Sequence, residues 1–145
     1  MNDFVSHHPY AEGLVRIGKI AIENEDDDAL ATYFSTEDYV IHMPAGDSNF
    51  VQLKAYFASL RAAFDDLKCE REQIIGEGNR LASRTVFSGT FARPFTQSPV
   101  GELEPNGKPI RWVVQNLFLF DDAGRLVEEW IESDSRVLIE QLTAA

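Results

Sequence analysis

Apolar residues recur at helical spacing near the start of the chain, where Leu14, Val15, Ile17, Ala21 and Ile22 give a broad stripe between Ala11 and about Asn24. Asp26, Asp27 and Asp28 interrupt it. An aspartate there can accept from the free N–H groups of a new helix, which predicts a short second helix over DALATYF. Tyr39-Val40-Ile41-His42 reads as a short strand that Pro44 stops, because proline has no ladder donor. Leu53, Tyr56, Phe57, Leu60 and Phe64 form the best amphipathic pattern, a long third helix ended by Asp65 and Asp66. From there the period changes to that of strands. Two β-prone runs flank Gly76-Glu77-Gly78-Asn79, which predicts a hairpin. A long segment from about Ala92 to Pro109 carries several prolines and an Asn106-Gly107 turn signal, the composition of a lid or pocket rim. IRWVVQNLFLF and RLVEEWIESD are strands joined by a turn at Asp121 to Gly124, and SRVLIEQL is a closing helix. Helices first and antiparallel strands last predict a single α+β domain over residues 1–145.

Hairpin geometry constrains the last two strands further. A four-residue loop over 121–124 would set Phe120 opposite Arg125, Gln115 opposite Trp130 and Arg111 opposite Asp134. One face would then carry Arg111, Val113, Gln115, Leu117, Leu119, Trp130, Glu132 and Asp134. The other would carry Trp112, Asn116, Phe118, Val127, Glu129 and Ile131. Both are mixed, so alternation alone leaves open which face lines an interior.

Composition narrows the function classes. The 145 residues include 44% hydrophobic and 11% aromatic residues, enough for a core and a pocket. A net charge of −11 argues against nucleic acid and against anionic membranes, both of which need clustered Lys and Arg. One cysteine, Cys69, excludes an intramolecular disulfide, and the absence of a basic, apolar leader or an 18-residue apolar run makes cytoplasmic the expected location. Three scattered histidines and one cysteine offer no metal-ligand spacing, and neither a G-x-S-x-G motif nor a phosphate-binding glycine loop is present.

The order of elements, with the words VIHMPAG, YFASLRAAFDDLKCE, IIGEGNRLASRTVFSGTF, PNGKPIRW, FDDAGRLVEEWIESD and LIEQL, resembles the SnoaL-like polyketide cyclase family from about residue 14 onward. The resemblance implies a cone-shaped α+β fold of the nuclear-transport-factor-2 and ketosteroid-isomerase type, with a curved sheet wrapped around the helices and an apolar cavity. It also implies ring closure by aldol condensation without metal or organic cofactor, and an aspartate near the end of the last strand as acid/base. That aspartate falls on Asp134 and selects the Asp134 face as the cavity wall; the histidine that the cyclases place on the preceding strand is absent, with Leu119 near its position.

On this basis Asp134 is the expected base, and His42 a second candidate that could shuttle a proton. Gln115, Asn116, Trp130, Arg84, Tyr56 and Glu132 are the expected substrate contacts, with Glu132 the substitute base and Arg84 alternatively in an ion pair. The expected function is a cofactor-free acid/base enzyme on a small, largely apolar carbonyl compound. The alternatives are a binding protein for a hydrophobic small molecule and, less favoured, an epoxide hydrolase, for which Asp134 with Arg84 or Arg111 supplies only part of the required set. Large apolar side chains on both faces of IRWVVQNLFLF predict a homodimer or higher homo-oligomer.

Overall fold

The computed structural model describes Phe4–Val5 and residues 7–145. Phe4–Val5 is a short strand, β1, followed by helix α1 over Ala11–Ile17. The predicted first helix does continue, but Gly18–Glu23 winds as a π-helical segment. It lies so close to the later strand that carries Cys69 that a Cβ on Gly18 would come within 3.2 Å of Cys69 Sγ, and Cys69 N donates to Glu23 there. Helix α2, Asp27–Tyr33, starts where the aspartate run predicts, with Asp26 accepting from Ala29 N.

Strand β2 (Val40–Met43) pairs with a strand missing from the expectations, β3 (Gly46–Asn49). Gly46 carries the positive φ of 136° that lets the chain reverse after Pro44. Asn49 then caps helix α3, Phe50–Ala63, in a reciprocal capping box with Gln52. The helix ends three residues before Asp66: strand β4 starts at Phe64 and runs to Glu77, so Asp65 and Asp66 belong to the strand. Strand β5 is Arg80–Phe91, and the predicted glycine hairpin joins the two. The proline-rich segment holds a small separate hairpin of β6 (Phe95–Ser98) and β7 (Gly101–Leu103). Strands β8 (Pro109–Phe120) and β9 (Leu126–Ser133) and helix α4 (Ser135–Leu142) complete the chain.

The main sheet has the order β1-β4-β5-β8-β9-β2-β3. Its central pairings are antiparallel, and β1 on β4 and β2 on β9 are parallel. Irregular register in β4, between Asp65 and Lys68 and between Arg71 and Gln73, bends the long β4–β5 ribbon as bulges do. The helices fill the concave side. Leu14, Ile17, Leu53 and Leu60 pack there against Phe87, Phe91, Trp112, Val114 and Phe118 in one buried cluster. Each large side chain so buried contributes roughly 1.5–3 kcal/mol.

The β8–β9 register corrects the sequence expectation in detail. Leu117, not Gln115, lies opposite Trp130, and Gln115 faces Glu132. Two slips produce this. The loop is one residue longer, with Phe120 paired to Leu126, and Val127 is skipped before Leu119 meets Glu128. From Glu128 to Glu132 the slip is even, so these residues keep their predicted sides with new partners, while Val127 drops out of the register and Asp134 lies beyond the strand.

Candidate functional site

The concave side of the sheet holds a cavity of about 360 Å³ beneath α1, α3 and α4. Its wall is mostly apolar, with Ile17, Phe34, Leu60, Phe87 and Trp112 among the lining residues, and the β6–β7 hairpin supplies Gln97, Ser98 and Pro99 at the rim. Of the segment 92–109 expected at a lid or rim, these three residues reach the cavity.

Glu129 is the one carboxylate among the described residues that line this cavity. It points inward from β9, in the middle of an otherwise apolar stripe of Leu126 and Ile131, and is only 8% exposed. Tyr39 Oη donates to its Oε1 at 2.8 Å, and Asn116 Nδ2 donates to its Oε2 at 2.9 Å. Burial raises its pKa above the ordinary glutamate value, opposed by the nearby Arg71 charge and by these two donors. Tyr39 is itself held protonated, first by burial and then by the adjacent carboxylate.

Asn116 is oriented from behind. Thr85 Oγ1 donates to Asn116 Oδ1 at 2.9 Å, which leaves the amide group facing Glu129. The single Thr85 proton being used, Thr85 accepts from Ser83 at 3.0 Å and from Arg71 Nη1 at 2.9 Å. Ser83, Thr85, Asn116 and Glu129 are all buried. The bonds among these four residues form between groups out of water, where an unpaired partner costs most. Tyr56, from α3, adds a hydroxyl to the cavity wall that burial pushes up to about 12.

The residues expected from sequence divide between two places. Asn116 and Tyr56 line the cavity. Asp134 does not. It is exposed at the N-cap of α4, where its carboxylate accepts from Val137 N at 3.2 Å, so the expectation of a base facing the cavity is corrected at this residue. Gln115, Trp130, Glu132 and Arg84 line a shallow groove on the opposite, convex face with Gln73, Ile75 and Leu117. Arg84 forms an ion pair with Glu72. The face chosen on the strength of Asp134 is therefore the outer one. His42 also lies there, stacked on Trp130 with ring centroids 5.3 Å apart, and bonded to Glu128 at 2.7 Å and Asp47 at 2.8 Å.

Glu129, Tyr39, Thr85 and Arg71 were missed as site residues. A signal for Glu129 was present: it shares alternation with Trp112, Asn116, Phe118 and Ile131, the more apolar of the two sets, and a lone carboxylate in such a set has nowhere dry to go except a site. Arg71 follows Leu67 and Cys69 in alternation on β4 and pairs with Thr85 just before the irregularity, so its inward direction is that of the apolar residues ahead of it.

Comparison with known proteins fits this geometry. The family model for the SnoaL-like polyketide cyclases matches residues 15–142. The chain belongs to that family. A search of curated proteins gives no match. Among solved structures, IdmH from Streptomyces antibioticus, described as a "putative polyketide cyclase", superposes with a TM-score of 0.76 at 23% identity, over 93% of this chain and 99% of that one. A "putative SnoaL-like polyketide cyclase" from Jannaschia sp. CCS1 gives 0.78 at 18% identity, over 97% and 98%. AclR from Streptomyces galilaeus, described as a "putative hydroxylase", gives 0.76 at 20% identity, over 97% and 84%. At these identities the superpositions establish the fold, which is the cone-shaped α+β architecture expected from sequence. No helix among the described residues is long and apolar enough to cross a membrane.

Proposed function

We propose that this SnoaL-like protein is an acid/base enzyme that cyclises or isomerises a small, largely apolar carbonyl compound, with Glu129 as the base. The observation that carries the reading is a buried carboxylate at the wall of an apolar cavity, its two oxygens each fixed by one donor. A base is most effective when its pKa lies near working pH, and burial moves Glu129 in that direction. Each carboxylate oxygen has two lone pairs, so the bonds from Tyr39 and Asn116 leave acceptor capacity for a substrate proton.

In this reading the C–H bond next to a carbonyl breaks, its proton goes to Glu129, and its electron pair becomes the C=C bond of an enolate as the carbonyl electrons move to oxygen. The enolate carbon then attacks a second carbonyl of the same molecule, or takes the proton back at another carbon. In the first case the new alkoxide recovers the proton from Glu129, so the enzyme returns to its starting state. Tyr56, kept protonated, is a hydroxyl donor available to a substrate oxygen. A non-catalytic binding protein would be better served by a wholly apolar cavity, and an epoxide hydrolase by a second inward carboxylate.

The test is exchange of the α-protons of 2-tetralone for deuterium, followed by NMR in D2O. The protein should accelerate it and Glu129→Gln should not; equal acceleration by both would overturn the assignment.

A further inference from the structure

Arg71 is a half-buried cation without an anion bonded to it. It lines the same cavity as Glu129. Among the described residues it makes no ion pair within 4.0 Å, although its charge is felt at Glu129. One guanidinium N–H donates to Thr85, the plane lies over the Phe118 ring at 5.3 Å, and Nε is buried with no acceptor. Guanidinium has five N–H donors, and leaving a buried one unmet is costly. Evolution of a stable core alone would place an apolar residue or a bonded carboxylate here. Thr85 and Asn116 link the two charged groups in one hydrogen-bonded chain, in place of a direct ion pair.

The geometry points to Arg71 as the receptor for the substrate oxygen that becomes the enolate, and to a substrate that enters uncharged. This rests on Glu129 as base. Charge bookkeeping selects the neutral substrate. Before proton transfer the cavity holds Glu129 as an anion and Arg71 as a cation. After it, Glu129 is neutral and the enolate oxygen carries the negative charge beside the same cation. The total never changes, so no uncompensated charge is created in a low-dielectric space. A carboxylic acid substrate would instead add a second anion to a cavity that has one cation. Arg71 would thus act as a preorganised donor toward the place where charge develops.

The probe is 4-nitrophenol, a planar apolar molecule whose ionised oxygen mimics an enolate oxygen and whose two protonation states differ in absorbance. Glu129→Gln removes the competing anion, so this variant should bind the probe as phenolate and more tightly than the parent protein does. Adding Arg71→Met to it should weaken phenolate binding roughly ten- to hundredfold, the range for a charge-assisted hydrogen bond, and leave the probe un-ionised when bound. Arg71→Lys, which keeps charge but loses the fork, should fall between and stands in if the methionine variant does not fold. Phenolate binding that is indifferent to both Arg71 substitutions would overturn the proposal, as would no phenolate binding to Glu129→Gln at millimolar probe. Failure of the Glu129 reading looks different: Glu129→Gln would then keep its tetralone exchange while the dependence of phenolate binding on Arg71 persisted.

Discussion

The two faces of the β8–β9 hairpin are built from the same short stretch of chain and carry nearly the same residue types, yet they are chemically unlike. On the concave face Asn116 and Glu129 are buried, bonded to each other and to Thr85 and Tyr39, and border an apolar cavity. On the convex face Gln115 and Glu132 are exposed, while Arg84, Glu128 and His42 sit in solvent-screened ion pairs. A carboxylate on the outer face keeps ordinary chemistry because water solvates it. The same group turned inward by one position loses that water and is the base we propose. Burial, more than residue type, makes the difference, and parity along the strand decides burial.

The sharpest attack on that contrast is Glu129→Gln beside Glu132→Gln. Loss of a positioned general base costs roughly 10²–10⁴-fold, so the inner change should nearly abolish acceleration of tetralone exchange and the outer one should leave it intact. Equal losses would end the distinction between the faces.

Tyr39→Phe sharpens it. Removing the donor to Oε1 takes away a bond that favours the carboxylate, so the Glu129 pKa moves further up and less base is available in acid. The acid limb of the rate profile should shift to higher pH, with a rate about tenfold lower on that limb and near-normal activity on the plateau. A uniform loss at every pH would mean that Tyr39 does something other than tune the carboxylate.

These faces also show what was legible in the chain. Helices, hairpins and the division of β8 and β9 into two sets follow from periodicity and turn residues, and two register slips left the sets intact from Glu128 to Glu132. The choice between the sets was the error. It followed Asp134, whose place at the end of β9 makes it both a plausible site residue and a natural cap for α4, and the cap is what the structure contains. Weighing the sets by apolar content would have favoured the one with Trp112, Phe118 and Ile131. Arg71 shares its alternation with Leu67 and Cys69, so a cation stands where the pattern leads one to expect an apolar residue, and Tyr39 reaches the site from just before β2, outside any strand period.

Asp134→Ala tests the corrected role. Losing an N-cap costs about 0.5–2 kcal/mol, which for a chain of this size lowers Tm by roughly 2–4 °C per kcal/mol, with tetralone exchange unchanged. A lost reaction at unchanged Tm would return Asp134 to the site. The apolar part of the outer face offers a comparison of the same kind. Leu117 is 51% exposed and Ile75 60%, and they are the residues a homodimer formed through this face would cover. Leu117→Glu should then yield a monomer in sedimentation velocity, without touching the cavity; an unaltered sedimentation coefficient would remove this face from the assembly.

The smallest effect belongs to His42, whose ring links β9 through Glu128 to β3 through Asp47. Its pKa is raised, mainly by the hydrogen bond to Glu128 and next by that to Asp47. A histidine with a raised folded value adds stability that is complete below its unfolded value of about 6.5 and is lost as pH rises through the folded value. The ring is partly exposed and its partners reach solvent, so the contribution is screened. The stability deficit of His42→Asn should shrink as pH is raised across that window, and a deficit that grew with pH would contradict the ion-pair account. An NMR titration of the imidazole separates the partners: Glu128→Gln should lower its pKa more than Asp47→Asn does. If neither substitution moves it, the outer face holds His42 by stacking on Trp130 alone, and its charges have no part in fixing the β2–β3 edge.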